Sequence, residues 1–207
     1  MKYFILIVLW IFWCIFHSLL ISSATTSVMQ RKLADRYRYY RLAYNCLAVV
    51  TLLPLVVYGN TLKGEPLLSW SGVMVIVQVL LLLSALYLFF AGAIKYDFDQ
   101  FLGTAQIRAG HSSTILTGDG RLDVSGIHQV TRHPWYFGGL LILWSYQTGI
   151  DLQSLLTNII LSFYLIIGAM LEEKKLLKLF GEEYSRYKEN VSMLFPLKWI
   201  MGRGPNL

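Results

Sequence analysis

Two short polar segments in the second half of the 207-residue sequence carry the side chains best suited to chemistry. Arg132, His133 and Pro134 stand directly before one apolar run, and Glu172 and Glu173 directly follow another. Proline loses nothing as the first residue of a helix, and the N-terminus of that helix offers N–H groups to an anion such as a carboxylate. Arg132 and His133 would add charge-assisted hydrogen bonds. These residues predict a cradle for a charged cofactor.

The same residues also fit a structural interpretation. Arg, His, Trp and Tyr at the end of an apolar helix commonly anchor it among lipid head groups, and two glutamates at a helix end can simply be solvated. Gly138 and Gly139, which closely follow Trp135 and Tyr136, would admit either a ligand or a neighbouring helix close to the backbone. Residue types alone leave both interpretations open.

The elements that carry these segments are predicted to be membrane helices. The chain is 56% hydrophobic and 14% charged, against roughly 25% charged residues in an average soluble domain. Five stretches without Lys, Arg, Asp or Glu approach or exceed the ~20 residues that cross a bilayer as a helix. They cover residues 3–30, 42–62, 66–94, 134–150 and 152–171. The sequence therefore predicts an all-α integral membrane protein with five transmembrane helices.

The last two stretches meet at Gly149, Ile150 and Asp151, so they are predicted to form a tight helical hairpin. A hairpin brings its two outer ends to the same face of the membrane. The polar segment that ends at Pro134 and the glutamate pair are therefore expected to be neighbours.

The basic residues predict how the helices are oriented. Sixteen of the 18 Lys and Arg residues lie in the first and third loops and in the tail, and the opposite side keeps only Lys2 and Lys63. Loops rich in Lys and Arg stay in the cytoplasm, so we expect the N-terminus outside and the C-terminus in the cytoplasm, in a bacterial inner membrane. The pI of about 9.3 then reflects topology, and we expect membrane lipids and no nucleic acid as partners.

The polar parts of the chain predict a cytoplasmic pocket. Residues 95–133 form a segment too long for a simple connection between helices, and its glycines and aspartates favour an ordered wall of tight turns. Beyond residue 171, apolar residues among lysines predict a C-terminal amphipathic helix on the membrane surface, with a bend at Gly181 and a new helix from Glu182 to Asn190. We accordingly divide the chain into three N-terminal transmembrane helices (1–94) and a cofactor-binding, catalytic half (95–207).

Three residues of the first half could carry function but have simpler interpretations. Cys14 and Cys46 lie in or beside predicted spans, where they favour apolar packing over a disulfide or a metal site. An ionisable residue such as His17 within a span is a functional candidate. Beside Ser18, it can equally be a neutral imidazole that shares a hydrogen bond between helices, which is the interpretation we favour.

The polar segments resemble a known enzyme superfamily. Residues 122–138 around the Arg-His-Pro motif, the Glu172-Glu173 pair, and the run Phe-Gly-Glu-Glu-Tyr-Ser-Arg-Tyr-Lys at 180–188 occur in this order. Together they resemble the isoprenylcysteine carboxyl methyltransferase superfamily, which includes phospholipid N-methyltransferases. Shorter motifs of the first half are similar to NnrU-like membrane proteins and methanethiol S-methyltransferases; they are Phe16 to Leu20, Tyr44-Asn45, Tyr96-Asp97 and Phe101 to Gly103.

The resemblance implies that S-adenosylmethionine (SAM) binds in the cytoplasmic pocket. Glu172, or else Glu173, would then accept a proton from the nucleophile during methyl transfer, and no metal is expected. His128 stands where many relatives have Tyr. The residues predicted to bind the cofactor are Gly120, Arg121, Leu122, Asp123, His128, Arg132, His133, Pro134, Trp135, Tyr136 and Glu172.

One departure from the resemblance bears on the acceptor. Prenylcysteine-specific members carry an Arg one turn before the family's Glu, where this chain has Gly168, and no basic residue occurs from Pro134 to Leu171. A buried anionic acceptor would therefore lack a cation, and an unpaired buried charge is costly. The expected substrate is a neutral small lipophilic or lipid nucleophile, with a thiol first and a lipid amine second.

Two other functions stay open. Membrane reductases that use NADPH share a related helical core, but their His-Pro-Asn-Tyr-x-Gly-Glu motif differs here at Trp135 and Gly139, and the sequence lacks a Rossmann fingerprint. A non-catalytic NnrU-like membrane protein would keep the fold without turnover. Binding of SAM or of NADPH would separate these functions.

Overall fold

The computed structural model describes residues 1–95, 99, 102–109 and 122–202 of the chain. Gly120 and Arg121, both predicted to bind the cofactor, lie outside the described residues, as do Tyr96, Asp97 and Phe101 of the resemblance.

Most of the described chain is helical. The helices are α1 (Lys2–Ile21), α2 (Ser23–Leu33), α3 (Tyr40–Asn60), α4 (Met74–Lys95), α5 (Thr104–Ala109), α6 (Pro134–Ser145), α7 (Leu152–Phe180), α8 (Glu182–Asn190) and α9 (Leu197–Ile200). Short 3-10 helices cover Ala34–Tyr39 and Gly126–Gln129. Two strands of two residues, β1 (Leu68–Ser69) and β2 (Gly149–Ile150), pair with each other.

Four helical stretches of the described residues are long and apolar enough to cross a membrane. They are Lys2–Ile21, Ser23–Asn60, Met74–Ile94 and Leu152–Phe180, so the prediction of a mostly helical integral membrane protein is confirmed. The run predicted as the fourth span instead gives α6, a helix of 12 residues. At 1.5 Å per residue α6 is about 18 Å long, shorter than the ~30 Å hydrocarbon core, so the count of five spans is not confirmed.

The chain packs as two compact units. Among the described residues, the first unit comprises residues 1–68, 99, 102–109 and 150–160, and the second comprises residues 69–95, 122–149 and 161–202. Both units therefore draw on separate stretches of sequence, and helix α7 contributes to each. The predicted division at residue 94 concerns function and stays a prediction.

In the first unit, α1 packs against α3. Leu6, Trp10 and Cys14 recur every fourth residue and form the buried face of α1, as helical periodicity requires. The Trp13 indole N–H donates to the Thr51 hydroxyl at 3.1 Å. The Tyr44 hydroxyl lies 3.0 Å from His17 Nδ1, in agreement with a hydrogen bond shared between two helices.

The second unit is built on close packing of α4 against α6. A Cβ added to Gly138 would lie 3.1 Å from the Phe89 ring, and a Cβ added to Gly92 would meet the Trp135 indole. The Trp135 indole N–H donates to the Phe89 carbonyl at 3.2 Å. Glycine thus allows the two helices to approach each other at both positions.

The C-terminal part of the second unit folds back on the segment before α6. Helix α7 runs to Phe180, Gly181 has a φ of +55°, and a new helix begins at Glu182, as predicted. Tyr184, Tyr187 and Val191 form a buried cluster, against which Leu122, Val124, Leu176 and Phe180 pack. One face of α8 is therefore buried in protein. The predicted placement on the membrane surface of the helix that follows residue 171 is not confirmed.

Candidate active site

The Arg-His-Pro segment is fixed by the C-terminal part of the chain. Thr131 forms a parallel bridge with Ser192, and the amide of Arg132 donates to the Ser192 carbonyl at 3.0 Å. The amide of His133 donates to the Met193 carbonyl at 3.2 Å. The backbone that presents His133 is therefore held by residues about sixty positions later.

Helix α6 begins directly after this segment. Pro134 is its first residue and is fully buried, as the missing N–H of proline allows. His133 is the N-cap residue, and its side chain makes no capping hydrogen bond. The predicted helix start is confirmed at the residue expected.

Arg132 forms a buried ion pair with Glu173. Its Nη2 lies 2.5 Å and its Nε 2.6 Å from Glu173 Oε1, and the two side chains are 7% and 10% exposed. Arg132 Nη1 also donates to the carbonyl of Lys188 at 3.1 Å and to that of Val191. Each nitrogen of the guanidinium group therefore has a partner within the protein.

His133 lies between the two glutamates. Its side chain is 2% exposed, with Nε2 at 3.5 Å from Glu173 Oε1 and Nδ1 at 4.0 Å from Glu172 Oε2. The edge of the Tyr136 ring meets the imidazole at a centroid distance of 5.5 Å and an angle of 87°. The convergence predicted from the hairpin is present: the histidine and both carboxylates are neighbours.

The two glutamates differ in environment although they are adjacent in sequence. Consecutive residues of an α-helix point about 100° apart, so Glu173 faces the protein while the Glu172 side chain keeps 25% of its surface exposed. Glu173 also contacts Lys188 Nζ through Oε2 at 3.4 Å. Glu173 is therefore surrounded by cations of the protein, and Glu172 is the more accessible carboxylate.

Tyr136 occupies the space above Gly168. A Cβ at position 168 would lie 3.0 Å from Tyr136 Cε1 and 3.6 Å from its hydroxyl oxygen. A larger side chain there would displace the ring, so the position of Tyr136 beside His133 depends on the glycine.

The other predicted cofactor residues have structural contacts in the same unit. The Asp123 carboxylate closes a turn by accepting from the Ser125 amide at 2.9 Å and its hydroxyl at 2.6 Å. His128 is buried, and its carbonyl accepts from the Tyr187 hydroxyl at 2.6 Å. Leu122 packs on the cluster around Tyr187.

Sequence reasoning missed two residues beside the glutamates. Lys188 neutralises Glu173, and Tyr184 is buried close to the same carboxylate. Burial raises the pKa of the Tyr184 hydroxyl, and the negative charge of Glu173 raises that pKa further. Both residues lie in the run at 180–188 that carries the resemblance. Because the helix breaks at Gly181, the helical periodicity of α7 cannot be extended to predict where these side chains point.

Among the described residues, no group of three or more His, Cys, Asp or Glu side chains could hold a metal ion. The arrangement can instead bind a polar ligand and move a proton. A buried imidazole, a part-exposed carboxylate and the start of a helix meet at one place.

Comparison with known proteins identifies relatives that match part of the chain. The chain is 36% identical over 78 residues to "Methanethiol S-methyltransferase" of Pseudomonas deceptionensis, which is 38% of this chain and 29% of that protein. It is 37% identical over 70 residues to "Methanethiol S-methyltransferase 1" of Bradyrhizobium diazoefficiens, covering 34% of this chain and 24% of the relative. The chain thus matches less than a third of the length of these curated relatives.

The match to a family is broader. No protein of known structure matches the chain. The profile of the family described as "NnrU protein" matches residues 5–200, which is most of the chain. The chain therefore belongs to the NnrU protein family.

Proposed function

We propose that the protein is a SAM-dependent membrane methyltransferase that acts on a small or lipid-like nucleophile, with a thiol as the favoured acceptor. The observation that carries this proposal is the difference in environment between the two glutamates. Glu173 is neutralised by Arg132 and Lys188, while Glu172 stays accessible beside the buried His133. The names of the partial relatives support transfer of a methyl group to sulfur.

The residues present fit SAM as the methyl donor. Among the described residues, the buried Nε2 of His133 has no well-aligned hydrogen-bond partner, and its contact with Glu173 Oε1 is 3.5 Å long. The start of α6 lacks a side-chain cap. The first N–H groups of a helix have no partner within that helix and suit a carboxylate. When bound, SAM would supply an electrophilic methyl group on a sulfonium.

We assign the holding of SAM to His133, Tyr136 and the first turn of α6, with Glu172 facing the positive charge. The resemblance adds Gly120, Arg121, Leu122, Asp123 and His128 to this set. Arg132 differs, because its nitrogens already donate to Glu173 and to two carbonyls. Its role in our proposal is to position the segment and not to bind the cofactor.

Glu172 is the proposed base. A thiol has a pKa of about 8.5 and is mostly protonated at neutral pH, so a carboxylate that accepts its proton raises the concentration of the nucleophilic thiolate. Glu173 is less suited to this role because three groups of the protein already share its charge. With Gly168 at the family's Arg position, α7 carries no Lys or Arg before Glu172 that could pair with an anionic acceptor.

For the membrane arrangement, we propose five crossings of a bacterial inner membrane, with the N-terminus outside and the C-terminus in the cytoplasm. Two contacts support a crossing by α6 and the residues that follow it. The Trp70 amide, before α4, donates to the Thr148 carbonyl, after α6, at 3.2 Å. The Gln78 amide donates to the carbonyls of Ser145 and Gln147 at 2.8 and 2.9 Å. The end of α6 thus lies beside the beginning of α4, at the outer side in the predicted topology.

Calorimetry on detergent-purified protein tests the proposed function. We expect SAM to bind and NADPH not to bind, followed by methylation of simple alkyl thiols in a product assay. NADPH binding without SAM binding would support the reductase, and binding of neither would support the non-catalytic protein. Efficient methylation of a prenylcysteine carboxylate, with simple thiols and amines ignored, would refute the neutral acceptor.

A further inference from the structure

Glu173 joins three separate parts of the second unit. It contacts the guanidinium group of Arg132 at 2.5 Å, the imidazole of His133 at 3.5 Å and Nζ of Lys188 at 3.4 Å. Each partner comes from outside α7, since Arg132 and His133 precede α6 and Lys188 belongs to α8. One carboxylate therefore links α7 to the Arg-His-Pro segment and to the C-terminal helix.

The partners of Glu173 are linked to each other by further hydrogen bonds. Arg132 Nη1 donates to the carbonyls of Lys188 and Val191. The backbone amides of Arg132 and His133 donate to the carbonyls of Ser192 and Met193. The position of His133 is thus determined by a C-terminal segment, residues 187–193, which Glu173 and Arg132 hold in place.

We propose that Glu173 is a positioning residue, which fixes His133 against the C-terminal segment through Arg132 and Lys188 and leaves Glu172 as the carboxylate that meets ligands. The part of this inference that concerns ligands of Glu172 rests on the proposed function. The placement of His133 by Glu173 does not, because it concerns contacts within the protein.

Charge balance explains why Glu173→Gln, which removes the charge but keeps the shape, would no longer hold His133 in position. Arg132 and Glu173 are both buried, and removing one partner of a buried pair leaves the other charge uncompensated in a medium of low dielectric. In Glu173→Gln, two cations would face a neutral amide. Separation of Arg132 from Lys188 would then break the hydrogen bonds that hold His133.

Hydrogen exchange of the protein without any methyl donor provides the first test. We expect Glu173→Gln to accelerate amide exchange about tenfold or more in peptides covering residues 128–135 and 187–195, as the loss of a buried pair predicts. Glu172→Gln is the matched control, because it removes the neighbouring carboxylate and should leave exchange in both segments unchanged. Unchanged exchange in Glu173→Gln, or equal acceleration in Glu172→Gln, would overturn the proposal.

A rescue variant separates positioning from simple loss of packing. Lys188→Met, added to Glu173→Gln, removes one of the two unneutralised cations and should return exchange part of the way to the wild-type rate. Faster exchange in the double variant would contradict the proposal. If Glu173→Gln does not fold, Lys188→Met alone should still accelerate exchange in the same two segments, and no acceleration there would overturn the role of Glu173.

Turnover gives an independent readout that a general loss of stability would not produce. Glu173→Gln should raise the KM for SAM several-fold while turnover at saturating SAM stays near the wild-type value, and Glu172→Gln should lower turnover instead. A wild-type protein that binds no SAM would refute the proposed function and leave the exchange result standing. SAM affinity and exchange both unaffected in Glu173→Gln would refute the positioning role alone.

Discussion

The two ends of helix α6 are surrounded by different kinds of side chain. Both ends leave backbone groups without partners inside the helix. At the C-terminal end, the neutral amide of Gln78 donates to the carbonyls of Ser145 and Gln147. At the N-terminal end, the chain brings together an arginine, a histidine, two glutamates and a lysine.

The difference indicates which end is built for a ligand. A neutral amide satisfies carbonyls without desolvating any charge, so the Gln78 contact closes the C-terminal end at low cost. Burying an ion pair costs desolvation energy that a purely structural contact could avoid. Ionisable residues within a membrane protein are functional candidates for this reason, and here they are concentrated at the end of α6 that starts with His133.

The largest effect is expected from removing the cation of the buried pair. Arg132→Met leaves buried Glu173 with contacts to Lys188 and His133 but without its guanidinium partner, and breaking a buried pair in this way costs about 3 to 5 kcal/mol. The free energy of unfolding, measured by denaturation in mixed detergent micelles, checks this value. Arg186→Met is the matched control, because the Arg186–Glu182 pair is highly exposed and such pairs contribute about 0 to 1 kcal/mol. Equal losses of unfolding free energy in Arg132→Met and Arg186→Met would contradict the importance of burial for the Arg132–Glu173 pair.

The second prediction concerns chemistry at the same end. Glu172→Gln keeps the shape of the side chain but removes the base, and turnover should fall by about 10²-fold or more while SAM affinity changes little. Assays across a range of pH show whether the difference in turnover between Glu172→Gln and wild type shrinks or grows as pH rises. As pH rises through the thiol pKa of about 8.5, the thiol ionises without help, so the difference from wild type should shrink. A pH-independent loss, or no loss, would exclude Glu172 as the base.

The third prediction tests the closed end of α6. Gln78→Leu leaves the carbonyls of Ser145 and Gln147 without the Gln78 amide, and a buried unsatisfied group costs about 1 to 3 kcal/mol. Stability should fall by that amount, while the KM for SAM stays at the wild-type value because the site lies at the other end. A loss of SAM affinity comparable to the loss of stability would erase the distinction between the two ends.

Local rules predicted the parts of this site that depend on neighbouring residues in the sequence. Pro134 as a helix start and Gly181 as a break follow from backbone chemistry, and the hairpin indicated that His133 and the glutamates meet. The apolar run from 134 to 150 did not reveal that α6 ends at Ser145, whose carbonyl accepts from the Gln78 amide 67 positions earlier. Apolar composition carries no information about such a partner.

The distinct roles of Glu172 and Glu173 were equally beyond sequence reasoning. Two adjacent glutamates look alike in composition, and their directions depend on where Arg132 and Lys188 lie. Lys188 contacts Glu173 from α8, whose Tyr184 and Tyr187 are buried together with Val191. That packing joins residues separated by a helix break and has no periodic signature.

The smallest expected effect tests whether the packing of Tyr136 on Gly168 affects the affinity for SAM. Gly168→Ala places a methyl group 3.0 Å from Tyr136 Cε1, so the ring must shift, while alanine favours the helix by up to about 1 kcal/mol. For the free energy of unfolding, the ring shift and the helix propensity of alanine act in opposite directions. SAM affinity responds to the ring shift alone and should weaken by less than about tenfold, or 1.4 kcal/mol. Gly139→Ala is the control, since its methyl group would meet only the flexible end of Leu165 at 3.3 Å.

A double-mutant cycle decides whether this loss acts through the Tyr136 ring. In the Tyr136→Ala background the methyl group at position 168 has no ring to displace, so Gly168→Ala should no longer weaken SAM binding. Residues in contact show interaction energies of about 0.5 to 3 kcal/mol in such cycles. Additive effects of the two substitutions would mean that Gly168 acts on the helix alone, and the contact between Tyr136 and His133 would then be independent of α7.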